Sequence, residues 1–402
     1  MRAGKRFRQL QRYRTIAAAL ARNGLGYVVQ ESGLAEHLPF VRNEARSGIQ
    51  GKSLGERIRL LLEELGPTFV KLGQLASTRP DLIPRDILAE LEQLQDRVPA
   101  FSYAEAAAIL EEELGAPLDL LFRRFSETPI AAASIGQVHH AELPDGTAVA
   151  VKVQRPGIRD LIETDLDILT DWARLAENRL HWARRYRLRD IVDELGRALR
   201  AELDYLTEAR NAELIARHGK PQLRVHVPKV YWEYSTGRVL TMSYMDGIKL
   251  SDMARLDEAG IDRKRLAERF TAMILEQVLE NGVFHADPHP GNVLVRPDGD
   301  LVLLDYGMVG QLTPQMRNHF AAFVIALRNQ STKGVIRAVS NMGVIPEDVD
   351  AERLYADVDA LRDKYYKVPL EQISMGDAVR DLFALALKHR IRIPAQLTLL
   401  GK

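Results

Sequence analysis

The sequence predicts an α+β fold of two lobes, a small β-rich lobe followed by a helical one, behind an N-terminal helical extension. Three observations carry this. Short apolar strands flank the turns Pro144-Asp145-Gly146 and Arg296-Pro297-Asp298-Gly299-Asp300. Helical periodicity fills residues 55–125 and returns after Gly307. The length, 402 residues, fits one bilobal domain with extensions. The expected segments are 1–54, a basic arm; 55–125, a helical extension; 126–246, the β-rich lobe with a helical insertion at about 156–190; and 247–402, the helical lobe.

Composition excludes several classes. The chain carries 55 Lys and Arg against 55 Asp and Glu, which argues against a nucleic-acid partner. It has no cysteine, so no disulfide framework. No apolar run approaches the roughly 20 residues that span a bilayer, and no signal-peptide pattern opens the chain.

The neutral total hides a basic start. Arg2, Lys5, Arg6, Arg8, Arg12, Arg14 and Arg22 meet no acid within residues 1–22. Leu10, Tyr13, Ile16 or Ala17, and Leu20 recur at helical spacing. Such a basic amphipathic helix suits an anionic membrane surface; the competing reading is a solvated arm.

In the extension, Glu56–Leu65 stops at Gly66-Pro67, a second helix runs from Thr68 to Thr78, and two more cover Arg85–Gln95 and Tyr103–Leu114. Within Lys71-Leu72-Gly73-Gln74, Lys71 and Gln74 share a face with Thr78, while Phe69, Leu72 and Leu75 turn to a core. Gly73 costs helix stability and so marks a close backbone approach. By pattern alone, Lys71 is a solvated cation.

From Glu127 the period switches to that of strands. The small-residue run Ala131-Ala132-Ala133-Ser134 leads to one strand, and Val149-Ala150-Val151-Lys152-Val153 forms the next. A lysine inside a β-branched strand is costly to bury unless it meets an anion; the alternative is an edge strand with Lys152 in water. The insertion, with Arg184, Arg185, Arg187 and Arg189, reads as a solvated face. One long helix over Arg189–His218 puts Asp204, Glu208 and Asn211 on one stripe, with Glu202 turned away. Val230–Tyr234 and Arg238–Tyr244 read as a hairpin that exits through Met245-Asp246-Gly247.

The helical lobe opens with Arg263–Asn281 and reaches the loop His285-Ala286-Asp287-Pro288-His289-Pro290-Gly291-Asn292. Strands Val293–Val295 and Leu301–Leu304 then fold Asn292 and Asp305 back to the same end, with Asp287 on the same loop. One group that accepts a proton and two that hold a hard cation suit Mg2+, which takes few carboxylates and several phosphate or water oxygens. A transition-metal pair of His285 and His289 is the competing reading. Helices over Pro314–Asn329, Thr332–Met342, Ala351–Tyr366 and Met375–His389 follow.

His285-Ala286-Asp287 to Asn292, followed by Asp305-Tyr306-Gly307, is similar to the catalytic loop and metal-binding Asp of protein kinases, with Ala286 and Tyr306 where kinases carry Arg and Phe. With Lys71-Leu72-Gly73-Gln74, Ala131–Ser134, Val149–Lys152 and Glu202-Leu203-Asp204 in the same order, the chain resembles the UbiB (AarF) family of atypical kinases over about residues 10–400. The resemblance implies a protein-kinase-like bilobal fold that uses ATP and Mg2+. It implies that Lys152 holds the α- and β-phosphates with Glu208 as its partner, that the Ala131–Ser134 loop covers the phosphates, and that Tyr244 and Met245 border adenine. Asn292 and Asp305 become the Mg2+ ligands and Asp287 the base or aligner. Lys71 and Gln74 become functional, on a helix that crosses the site opposite Glu202 and Asp204 and blocks protein substrates. No Ala-Pro-Glu segment follows Gly307. The expected activity is therefore ATP hydrolysis in support of prenylquinone (ubiquinone) biosynthesis. Its expected setting is cytoplasmic, peripheral to or anchored at a bacterial inner membrane, with a lipid or prenylquinone precursor and quinone-biosynthesis enzymes as partners. Many bacterial members continue into apolar anchoring helices, whereas Leu399-Leu400-Gly401-Lys402 reads as mid-helix.

Two other functions compete. A small-molecule phosphotransferase of the aminoglycoside or choline kinase type also uses a His-x-Asp loop ending in Asn, but lacks the Lys71–Gln74 and Ala131–Ser134 features. A nucleotide-switched lipid-binding scaffold with little turnover fits the alanine loop and the covered site.

Overall fold

The computed structural model describes residues 2–25, 51–77, 83–94, 98–185, 187–329, 331–342, 349–366 and single positions between 381 and 391. They fall in two compact units, Met1–Thr207 with Tyr231–Ser243, and Glu208–Val230 with Tyr244–Lys402. Thr78 and most of the helix expected at Met375–His389 lie outside the described residues.

In the first unit, helix α1 (Arg2–Arg22) is amphipathic as its spacing predicts, but its apolar stripe is already covered. Ile16, Ala17, Ala19 and Leu20 are buried in a core with α2 (Leu54–Leu65), α3 (Pro67–Ser77) and α6 (Ile158–Arg179). This corrects two expectations: the stripe is taken up by the protein's own core, and residues 156–190 are not simply a solvated face. Ile158, Ile162 and Ile168 of α6 are core residues. Phe7, 69% exposed, and Leu10 remain outside. A buried ion pair ties α1 in place, Arg12 Nε and Nη2 donating to Asp165 at 2.6 and 2.9 Å.

Side-chain caps set the helix ends. Ser53 Oγ accepts from the Glu56 amide at 3.1 Å, and Gly66 ends α2 with φ of 90°. Helix α4 (Arg85–Leu91) stops short of Gln95, and α5 (Tyr103–Leu114) starts on a Ser102–Glu105 capping box. The helix expected as one piece over Arg189–His218 is two, α7 (Leu188–Glu202) and α8 (Tyr205–His218). Asp204 causes the break: its carboxylate accepts from the Leu206 amide (3.2 Å) and Thr207 Oγ1 (2.7 Å), starting a new helix rather than continuing the old one. Asp204 therefore stands at the joint, off the stripe expected to hold Glu208 and Asn211.

The sheet of this unit is antiparallel, ordered β1 (Arg124–Phe125), β3 (Gly136–Glu142), β4 (Ala148–Gln154), β6 (Val239–Ser243), with β2 (Ala131–Ala132) on β3. Val149, Val151 and Val153 are fully buried on one face of β4, packed near α5. The arm expected at Val230–Tyr234 is instead a 3-10 turn over Trp232–Tyr234, with Tyr231 N donating to Thr241 O at 2.9 Å.

The second unit holds a small sheet ordered β5 (Val225–His226), β10 (Leu301–Leu303), β9 (Val293–Val295), β7 (Ile248–Lys249). A two-stranded ladder, β8 (Val283–His285) with β11 (Val309–Gln311), lies in the same unit. The run Arg263–Asn281 begins as α9 (Arg263–Leu275) and widens into a π-helical turn, Glu276–Asn281, ended by Gly282 with φ of 71°. Helices α10 (Pro314–Arg328), α11 (Thr332–Met342) and α12 (Ala351–Tyr366) pack a separate core around Phe323, Val335, Val339 and Val358. Among the described residues, no helix is long and apolar enough to cross a membrane.

Candidate active site

Lys152 sits on a central strand, not an edge. Its Cα partners are Val138 on β3 and Leu240 on β6, and alternation puts its side chain opposite the buried Val151 and Val153. The ammonium lies 5.0 Å above the Tyr205 ring, a cation–π contact that holds a cation on this face. Gly136 makes room there, since a Cβ would collide with the Tyr205 hydroxyl and the Val153 carbonyl. The Ala131–Ser134 run is half strand: Ala131 and Ala132 pair with Val138 and Gln137, and Ala133 N closes the turn on Gly136 O at 2.8 Å. Ala131 and Ala133 are exposed, while Ser134 is buried.

The Lys71–Gln74 helix meets the first member of the carboxylate pair, Glu202. Lys71 Nζ forms an ion pair with Glu202 Oε1, so Lys71 is not the solvated cation its pattern alone implies. Asp204 caps α8 instead. Gln74 Nε2 reaches the Leu94 carbonyl at 3.5 Å. Gly73 is pressed against Leu62 and Leu94, where a Cβ would clash with both, so the close approach read from the sequence is present.

In the second unit, strand register does what the turn chemistry predicts. Val293 pairs with Leu303, and Leu304 N donates to Asn292 O at 2.9 Å, which puts Asn292 and Asp305 at one end of the ladder. Asp287 is exposed at the start of the same loop. Beneath it, the buried His285 ties the pieces together: Nε2 bonds to the Asp305 carbonyl, and Nδ1 accepts from the Asp287 amide at 3.2 Å. With Nδ1 accepting and Nε2 donating, the ring is in its neutral form, and burial holds its pKa below the ordinary histidine value. Both nitrogens are thereby engaged, and His289 Nδ1 accepts from Gly291 N at 3.1 Å, so this geometry does not offer a His285–His289 metal pair.

Tyr306 is clamped on three sides. Its fully buried hydroxyl donates to Leu303 O at 2.8 Å, Asn211 Nδ2 donates to its carbonyl at 2.9 Å, and its ring meets His285 edge-on at 5.7 Å. Burial, then the charges of Asp305 and Glu208, push the phenol well above its ordinary range, so it stays a donor. Asp305 Oδ1 accepts from the Gly307 amide at 2.8 Å, fixing the carboxylate against the backbone. Glu208 is buried on α8, one turn before Asn211. Tyr244 is exposed and Met245 half-buried, just past the end of β6.

The donor set fits a hard divalent cation: an amide and a carboxylate oxygen fixed by one ladder, without thiolates or a coordinating imidazole. Sequence reasoning did not single out Asn211 or His285 as positioning groups. For Asn211 the signal was present, three residues after Glu208 on the same helix face. For His285 nothing in the spacing shows that both nitrogens turn inward to the backbone.

Two expectations follow. Asn211→Ala is expected to raise the Mg2+ concentration for half-maximal turnover roughly 10- to 100-fold, the usual cost of losing an outer-shell positioning bond; Mg2+-free nucleotide affinity, measured by titration calorimetry, should not change. The second concerns pH. Because the folded state holds His285 neutral, it binds fewer protons than the unfolded chain, so this contribution to stability is full above the unfolded histidine pKa and falls as pH drops through it. Melting temperature followed from pH 8 to pH 5, about the histidine range, should fall more steeply in wild type than in His285→Asn.

Comparison with known proteins identifies the fold and the family. Residues 93–339 match the model of the ABC1 atypical kinase-like domain, and residues 358–402 that of the UbiB helical domain. A relative from Azotobacter vinelandii, "Probable protein kinase UbiB", is 39% identical over 86% of this chain and 65% of its own length. One of the same name from Xylella fastidiosa is 38% identical over 90% and 67%. An uncharacterized Synechocystis protein, sll1770, is 42% identical over 85% and 58%, so the chain spans roughly three-fifths of that relative. Among solved structures, Rv3197 of Mycobacterium tuberculosis in complex with erythromycin superposes with a TM-score of 0.55 at 24% identity, covering 84% of this chain and 90% of that one. That likeness speaks to the fold, which is kinase-like and α+β. With this fold, this site and these relatives, the chain belongs to the UbiB family of ABC1 atypical kinases.

Proposed function

We propose that this chain binds ATP with Mg2+ and releases the terminal phosphate to water, in support of prenylquinone (ubiquinone) biosynthesis at an anionic membrane surface. The observation that carries the reading is the His285 clamp, one neutral ring fixing both the Asp287 backbone and the Asp305 carbonyl beside Asn292. Asp287 aligns or deprotonates the attacking water, Asn292 and Asp305 hold the cation, and Lys152 supplies fixed positive charge for the α- and β-phosphates. Mg2+ held there would offset charge on the phosphate oxygens. Catalysis of this kind is chiefly positioning and charge stabilisation. The Lys71–Glu202 pair supports hydrolysis over protein phosphorylation, because it anchors the extension to α7 within the unit that carries Lys152. The relatives named UbiB support the quinone pathway.

The test is phosphate release from Mg·ATP with and without anionic vesicles and a phenolic quinone-precursor analogue. Turnover that rises with both supports the reading. Tight Mg2+-dependent binding without turnover in any mixture leaves the nucleotide-switched scaffold, and phosphate found on an added polar alcohol leaves the small-molecule phosphotransferase.

A further inference from the structure

Strand β8 turns one backbone donor away from its own ladder. Ala286 N donates to Met308 O at 3.0 Å and Leu312 N donates to Gly282 O at 2.7 Å, while His285 stands opposite Val309. Amides of alternate residues face the neighbouring strand in an antiparallel pair, so the His285 N–H points away from β11. His285 is 3% exposed, and a buried amide with no acceptor is costly. Gln277 supplies the acceptor: its Oε1 accepts from the His285 amide at 3.0 Å, and its side chain is itself buried.

Gln277 comes from the π-helical turn Glu276–Asn281, a rare form found mostly as single turns and often at functional sites. The far end of this turn is held from two directions. Asn281 Nδ2 donates to His218 O at 3.0 Å, at the end of α8, and Arg317 of α10 donates to the Glu280 carbonyl. Lys220 pairs with the Glu280 side chain. Gly282 closes the turn where a Cβ would meet Leu312 O at 3.0 Å. A turn fixed at so many points presents Gln277 in one place.

We infer that Gln277 is a positioning residue for Asp287. It fixes the His285 backbone, and the His285 ring in turn accepts from the Asp287 amide at 3.2 Å. The cation end of the site has tethers of its own: the Leu304–Asn292 backbone bond, the Gly307 amide on Asp305 Oδ1, and Asn211 on the Tyr306 carbonyl. Loss of the Gln277 acceptor therefore loosens the Asp287 side and leaves the Asn292–Asp305 side in place. A packing role would ask only for a side chain of similar volume.

This role rests on the proposed hydrolysis, yet the two can fail separately. Phosphate release and Mg·ATP affinity are measured for wild type, Gln277→Met and Gln277→Glu, each checked for folding by circular dichroism and melting. Gln277→Met matches the side chain in length and removes the acceptor. Its kcat should fall on the order of 100-fold, the cost of a misplacement of about 1 Å in a catalytic site. Its Mg·ATP affinity by calorimetry should stay at the wild-type value. Gln277→Glu keeps an accepting oxygen whether its carboxyl is charged or neutral, and should recover most of the turnover. Equal losses of kcat in both folded variants, or wild-type kcat in Gln277→Met, would overturn the inference. No turnover in wild type would sink hydrolysis instead, and Gln277 is then judged by the His285 amide. With isotope-labelled histidine, and His285→Asn to identify the signal, hydrogen exchange at that amide should quicken roughly ten-fold in Gln277→Met and not in Gln277→Glu. Unchanged exchange in Gln277→Met overturns the inference by itself.

Discussion

Asp305→Asn is expected to lower phosphate release from Mg·ATP by on the order of a thousand-fold, the scale of losing one charge-stabilising group at a reacting centre. The substitution is chosen for its shape. An asparagine oxygen can still accept from the Gly307 amide, as Asp305 Oδ1 does at 2.8 Å, and the His285 and Asn211 bonds go to main-chain carbonyls that the change leaves in place. What is lost is the negative charge. A melting temperature within a few degrees of wild type, together with lost turnover, assigns the effect to chemistry rather than folding.

Arg12→Met is expected to destabilise the first unit by about 3–5 kcal/mol, the usual cost of removing one partner from a buried pair. Asp165 is fully buried, and Arg12 gives it two hydrogen bonds while also donating to Leu65 O at 2.6 Å. Burial already pushes the Asp165 carboxyl above its ordinary range, and Arg12 pulls it back. Without Arg12 the carboxyl rises further, so the folded variant binds a proton that the unfolded chain releases at the same pH. By linkage, its stability falls as pH rises between the unfolded and folded pKa. The deficit against wild type should therefore shrink on acidification from neutral pH towards the unfolded carboxylate range. Urea denaturation at several pH values measures it, and a deficit that does not vary with pH would contradict the assignment to Asp165.

The parts of the fold that depend on local signals were legible in the sequence. Gly66-Pro67 ended a helix, Gly115 ended another, and the Arg296–Asp300 turn set a hairpin whose register joins Asn292 to Asp305. What was not legible depends on competition between local and distant partners. Asp204 looked like a helix-stripe residue because periodicity continues through it, yet its short carboxylate caps the next helix and breaks the run. The stripe of α1 looked like a membrane face because nothing in residues 1–22 reveals that α6, far along the chain, supplies its cover and an acid for Arg12. Lys71 showed the reverse: its pattern was that of a surface cation, and it was the kinase-like reading, with the UbiB resemblance, that pointed to the glutamate that meets it. A hydrophobic period identifies a face, not its occupant.

The most direct test is a calorimetric titration of ATP, with and without Mg2+, into wild type, Asp305→Asn and Asp287→Asn. The account predicts that Mg2+ tightens binding in wild type and in Asp287→Asn, that Asp305→Asn loses this dependence, and that Asp287→Asn loses turnover while still binding. Equal Mg2+ dependence in wild type and Asp305→Asn would contradict the placement of the cation at the end of the β9–β10 ladder.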